Sequence, residues 1–227
     1  MAGLGGAIRR LLRRNSPLVR TRGSVMRAFA RKAGLVYFGS VDQHGDDHEV
    51  IRGLTVSTSH IDTHYAVGAY DGYDVSIVDR FDTITGKDGK DVDHTWAIIE
   101  VTLQGLKSAP HVFLYPKGHD KDSYQKFFMA SSQLQAVNGM FLRDHDAEFH
   151  NRYDVFALPS RAHEAEDLFP ELSTQMIAAR FWPHAIEILD GRVYVYITEH
   201  RLVETVLGAT LQSAVWLAEV LDQPSED

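Results

Sequence analysis

The chain has 227 residues, 44% hydrophobic and 24% charged, ordinary values for a globular protein long enough to bury a core without covalent staples. It contains no cysteine, which excludes disulfides, cysteine-ligated zinc or iron–sulfur centres and a thiol nucleophile. No stretch approaches the roughly 18 consecutive apolar residues of a membrane-spanning helix, and arginines break up the N-terminus where a secretory signal would be continuously apolar.

The net charge of −8 hides two unlike parts. Residues 1–34 hold nine of the 23 basic residues and no acidic one, so the remainder sets 14 basic against 31 acidic residues. A body this acidic repels polyanions, and any polyanion contact must run through the basic segment.

In chain order, residues 1–34 read as an arm of two short amphipathic helices. At about 100° per residue, Leu4, Ile8, Leu11 and Leu12 share one side and Arg9, Arg10, Arg13 and Arg14 the other. Asn15-Ser16-Pro17 ends the first helix, because proline disfavours the α region for the residue before it. Ser24 is the expected N-cap of the second, which groups Val25, Met26, Phe29 and Ala33 opposite Arg27 and Arg31 and stops at Gly34. The middle is strand-rich. Val67–Tyr70 and Tyr73–Asp79 flank the turn Asp71-Gly72. His94–Leu103 is a long strand, preceded by a polar loop over residues 85–91. A short buried strand is expected over His111–Tyr115, and a helix starting near Asp122, where Tyr124, Phe127 and Phe128 have helical spacing. Phe149–Leu158 reads as a strand, with Tyr153 and Val155 inward and Arg152 and Asp154 outward. Two short helices follow over Arg161–Phe169 and Ser173–Arg180. Ala185–Leu189 and Val193–Thr198 form a hairpin about Asp190-Gly191. Leu202–Leu221 is the clearest helix, its stripe read as Leu202, Val206, Ala209, Trp216, Leu217 and Val220. Strands arriving in hairpins predict an α+β fold: an antiparallel or mixed sheet with helices on one face and a long C-terminal helix packed across it. The expected organisation is an arm over 1–34, one domain over 35–222 and a tail over 223–227.

Glycine-rich phosphate loops, nucleophile elbows and zincin motifs are absent. The sharpest constellation is His60-Ile61-Asp62-Thr63-His64. If it is extended, alternation puts His60, Asp62 and His64 on one face. Two imidazoles and a carboxylate suit zinc, with Asp71 or the His44/His48 pair as a fourth ligand; the competing reading is a solvated loop. Asp42, Asp46, Asp47 and Glu49 match no calcium-loop spacing. Asp71 with Asp74, or Asp144 with Asp146 and Glu148, could be paired for acid–base work, but turn and strand-entry positions account for them.

Four pieces in order carry a resemblance: residues 68–75 (Gly-Ala-Tyr-Asp-Gly-Tyr-Asp-Val), 148–155 (Glu-Phe-His-Asn-Arg-Tyr-Asp-Val), 165–172 (Ala-Glu-Asp-Leu-Phe-Pro-Glu-Leu) and the hairpin at Asp190-Gly191. With them the chain resembles an uncharacterised bacterial domain family of unknown function, over about residues 50–222. Many members look membrane-anchored at the N-terminus with the domain in the cytoplasm. The resemblance implies a cytoplasmic location at the inner membrane surface and supplies no catalytic residues. This chain departs from those members in having a basic amphipathic arm where they have apolar spans.

The arm has four readings: a contact with an anionic membrane, a contact with nucleic acid, a transit peptide, or a segment docked on its own body or disordered. Separate apolar and basic faces favour the membrane and disfavour nucleic acid, which needs the charge without the stripe. The expected function is therefore a non-enzymatic binding or scaffold module without a cofactor, its partner an anionic membrane surface or a protein. The expected membrane contacts are Leu4, Ile8, Arg9, Arg10, Leu11, Leu12, Arg13, Arg14 and Phe29. The alternative is a zinc-dependent enzyme using His60, Asp62 and His64.

Overall fold

The structure is a computed structural model and describes residues 17–39, 60–85, 89–106, 108–118, 133–137, 146–198 and 201–223. The strands are β1 (Val36–Tyr37), β2 (Ile61–Tyr70), β3 (Tyr73–Thr85), β4 (Asp91–Thr102), β5 (Val112–Pro116), β6 (Gln135–Ala136), β7 (Tyr153–Ala157), β8 (Ala185–Leu189) and β9 (Arg192–Ile197). The helices are α1 (Pro17–Ala33), α2 (Ala147–Arg152), α3 (Ala162–Asp167), α4 (Glu171–Phe181) and α5 (Glu204–Asp222). The described strands make one sheet of nine in the order β1-β2-β3-β4-β9-β8-β5-β7-β6. Every pairing is antiparallel, so the α+β expectation holds and the sheet is not mixed.

Both anticipated turns form. Asp71 and Gly72 have φ of 47° and 84°, and Asp190 and Gly191 have 49° and 70°. Positive φ at both central residues matches the right-handed twist of the flanking strands, which is why Asp-Gly is favoured there. The first hairpin runs further than its apolar alternation suggested. β2 starts at Ile61, and β3 pairs with β4 as far as Thr85 opposite Asp91.

One face of the sheet takes the helices. Ala66, Val75, Ile77, Ile99, Val101, Val193, Val195, Ile186 and Val155 meet Met26 and Phe29 of α1, Ile177 and Phe181 of α4, and Leu207, Leu211 and Leu217 of α5 in one core. The core face of α5 is Leu207, Leu211, Ala214, Ala218 and Leu221, a helical repeat whose alanines bring the backbone close to the sheet. This corrects the stripe read from the sequence: Val206, Trp216 and Val220 lie at its margin and Ala209 is exposed. Trp216 is half-buried, with the Arg180 guanidinium 4.6 Å above its ring centre. The last residue of α5 ties the helix to the end of β4: the Asp222 carboxylate accepts from the backbone N–H groups of Gln104, Gly105 and Leu106 at 2.9, 2.8 and 3.2 Å.

Two local expectations need correction. Residues 147–152 are a helix and not the start of a strand, because Asp146 caps it by accepting from the Glu148 N–H at 3.0 Å. Tyr153 and Val155 do point inward; Arg152 belongs to the helix, where it reaches Glu148 at 2.6 Å and the Ala178 carbonyl at 2.7 Å. Ser24 is not an N-cap. α1 already runs from Pro17, and the Ser24 hydroxyl donates to the Thr21 carbonyl at 2.7 Å. Pro17 opens the described helix, where a missing N–H costs nothing. Gly34, with φ of 76°, ends it as expected. There the Leu35 N–H bonds the Ala30 carbonyl at 2.8 Å, the six-to-one bond of a Schellman stop. The helix expected near Asp122 lies outside the described residues.

Candidate functional site: a buried polar face and a docked basic helix

The second face of the sheet carries no helix among the described residues, yet its side chains are buried. Because side chains alternate along a strand, the register lines up Asp62 opposite Arg80, Arg80 opposite Trp96, Asp82 opposite His94, Glu100 opposite Tyr194, and Tyr194 opposite Glu187. Arg80 forks onto Asp62, Nε to Oδ1 and an outer guanidinium nitrogen to Oδ2, each at 2.7 Å. Glu187, wholly buried, accepts from the Tyr196 hydroxyl through Oε2, and its Oε1 lies 2.6 Å from His111 Nε2. His94 stacks on Trp96 with ring centres 5.4 Å apart. Arg192 Nε stands 4.0 Å from Glu100.

Burial sets the chemistry of this layer. Desolvation first, and the Glu187 carboxylate second, push the Tyr196 phenol well above its ordinary range, against a smaller opposing pull from Arg80. Burial and then Glu100 raise Tyr194 in the same way. Such phenols stay protonated and do not act as nucleophiles. Arg80 spends its hydrogen bonds on Asp62, and Glu187 on Tyr196 and His111. These groups are paired, whereas His94 Nε2, Trp96 Nε1 and Glu100 Oε2 in the same layer have no hydrogen-bond partner among the described residues.

Sequence reasoning passed over Arg80, Asp82, Glu100 and Glu187. A signal was available: Glu100 and Glu187 each interrupt an apolar run, Ile98-Ile99-Glu100-Val101 and Ile186-Glu187-Ile188, and a charge flanked by β-branched residues in a strand must be partnered.

The residues of the His-x-Asp-x-His reading are placed apart. The pairing of β2 with β3 shifts between Thr63 and Ala66, and His64 takes a φ of 56°. This bulge breaks the alternation on which a shared face depended. Asp62 turns to Arg80 on the polar face. His64 turns to the helical face, where Nδ1 lies 2.8 Å from the Tyr37 hydroxyl and the ring covers Gly23 of α1. His60 lies just before β2 and is half-buried. Among the described residues no group of three histidines or carboxylates is arranged to hold a metal ion. His44, His48 and the acidic residues 42–49 lie outside the described residues.

The basic segment is split as well. Leu4, Ile8, Arg9, Arg10, Leu11, Leu12, Arg13 and Arg14 lie outside the described residues, whereas α1 is bolted to the sheet. Phe29, expected to touch a membrane, is 5% exposed and sits in the core with Met26 and Ala30. Its apolar face found the uncovered edge of the sheet, an alternative within the same chain that removes the ring from water. Arg22 goes with it. Its Nε lies 3.0 Å from both oxygens of Asp79 and an outer nitrogen 2.6 Å from Oδ1, with the two side chains 3% and 4% exposed. The opposite face of α1 keeps Arg27, Arg31 and Lys32 in solvent.

An antiparallel nine-stranded sheet with helices on one face and a buried polar layer on the other defines an α+β protein. Neither a protein-family model nor a curated protein matches the chain. Among solved structures it is similar in fold to the crystal structure of the mycobacterial trehalose monomycolate transport factor A, TtfA. The TM-score is 0.61 at 12% identity, covering 90% of this chain and 97% of that one. No helix among the described residues is long and apolar enough to cross a membrane.

Proposed function

We propose that the chain is a non-enzymatic binding or scaffold module held at the cytoplasmic face of a membrane by residues 1–16. The observation that carries this reading is the docking of α1. The buried Arg22–Asp79 pair and the Met26–Phe29 packing make α1 part of the body, so the segment with Arg9, Arg10, Arg13 and Arg14 joins the folded domain directly at Pro17. Apolar side chains opposite arginines suit the boundary between headgroups and acyl chains. Each cation near an anionic surface adds about 1 kcal/mol, and each partly buried apolar side chain about 1–2 kcal/mol. Together these terms give reversible attachment. The fold likeness to a protein named for transport of trehalose monomycolate supports a non-enzymatic binding role.

The test is co-sedimentation of the full chain with vesicles. Binding to phosphatidylglycerol-containing vesicles, none to phosphatidylcholine alone, and weakening with salt are expected. Leu11→Asp with Leu12→Asp should abolish it at an unchanged thermal midpoint. Equal binding by this variant and the parent would reject residues 1–16 as the tether.

A further inference from the structure

We infer that the β1 edge of the sheet is a second contact with an anionic lipid surface, one that sets the orientation of the domain. The inference rests on the membrane reading above but on different residues. α1 contains no acidic residue and presents Arg27, Arg31 and Lys32 to solvent. Arg27 and Arg31 are one turn apart, so they share a face. Although the protein carries 31 acidic residues, none of these three cations has an ion-pair partner among the described residues. The Arg27 guanidinium lies 5.2 Å from the centre of the Tyr37 ring. Tyr37 is in β1, the terminal strand among the described residues.

The same strand exposes apolar surface. Val36 is 59% exposed, and Phe38, next after the strand, is 48% exposed. Tyr37 packs with the core that holds α1, while the Phe38 ring lies 6.0 Å from Tyr65, which belongs to the cluster on the opposite face. The edge is therefore straddled: cations on the helical side, Val36 and Phe38 on the other. A flat surface meeting the sheet edge-on touches both rows at once. Exposed cations beside exposed apolar side chains match anionic headgroups over acyl chains. A nucleic acid would use the cations and leave Val36 and Phe38 in water.

The experiment uses the full chain with phosphatidylglycerol-containing vesicles, in parallel with a DNA duplex. Arg27→Glu with Arg31→Glu and Lys32→Glu should weaken vesicle binding by roughly 100-fold or more at low salt, and Val36→Ser with Phe38→Ser by roughly 10-fold. All five positions are exposed, so the thermal midpoint should hold. The chain has no cysteine, so Phe38→Cys offers a single thiol for an environment-sensitive dye, whose emission should shift to the blue on anionic vesicles and stay unchanged on neutral ones. Parent-like binding by both edge variants, with loss in the Leu11/Leu12 variant, overturns the edge contact and leaves the tether standing. Loss in the edge variants with parent-like binding by the Leu11/Leu12 variant does the reverse. Duplex binding that the charge reversal abolishes, with no dye shift on vesicles, overturns the lipid assignment in favour of nucleic acid.

Discussion

At the scale of single residues, two histidines carry unusual constraints. His64 holds a φ of 56°, a region that non-glycine residues enter at a cost. Its ring packs where a side chain at position 23 would be: a Cβ on Gly23 would stand 2.8 Å from Nε2 and 2.9 Å from Nδ1. Gly23→Ala should therefore destabilise the protein by about 1–3 kcal/mol through overpacking, reversing the gain of about 1 kcal/mol that alanine brings to a helix interior. Urea denaturation reads the sign. Adding His64→Ala should let the helix-propensity gain reappear relative to His64→Ala alone, and a stabilised Gly23→Ala single variant would show that the imidazole does not hold its place. His184 offers a pH test. Burial lowers its pKa from 6.5 to about 4, and Nδ1 has no hydrogen-bond partner among the described residues. Below pH 6.5 the unfolded chain takes up a proton that the folded imidazole refuses, so stability falls as pH drops from 6.5 towards 4 and is fully present above that window. The full effect of this one group is roughly 3 kcal/mol. His184→Gln should flatten this part of the stability profile, and an unchanged slope would show that His184 is solvated.

At the scale of elements, the question is whether α1 belongs to the body. Arg22 and Asp79 bury a bidentate ion pair between α1 and β3. Removing one partner leaves an uncompensated buried charge, so Arg22→Met should cost about 3–5 kcal/mol. Combining it with Asp79→Leu should recover most of that loss, because a buried pair replaced as a whole by apolar side chains is often neutral. Parallel urea curves with an unchanged slope would show that the loss is one of stability and not of the surface exposed. A single variant within about 0.5 kcal/mol of the parent would place the pair in solvent and undo the docking of α1.

At the scale of the whole molecule, charge is divided unevenly, and the structure changes what that division means. Nine basic residues precede residue 35, but Arg22 is consumed inside the protein, while Arg27, Arg31 and Lys32 mark one exposed edge. The described part of the basic segment is thus divided between core and surface.

Much of the fold was legible because it is local. The turns at Asp71-Gly72 and Asp190-Gly191, the stop at Gly34 and the helix from Glu204 follow from backbone preferences that neighbouring residues determine. The α+β class follows from strands that arrive in pairs. Tertiary structure alone decided the rest. Nothing local says that the apolar side of α1, with Phe29, would cover the sheet instead of a lipid surface, since burial against either removes the same area from water. Nothing local says that a bulge would send Asp62 and His64 to opposite faces, because alternation holds only while register does. The partners of Arg22, Arg80 and Glu187 lie 57, 18 and 9 residues away in sequence. A buried charge demands a partner wherever it sits; which side chain answers is settled by strand order and register.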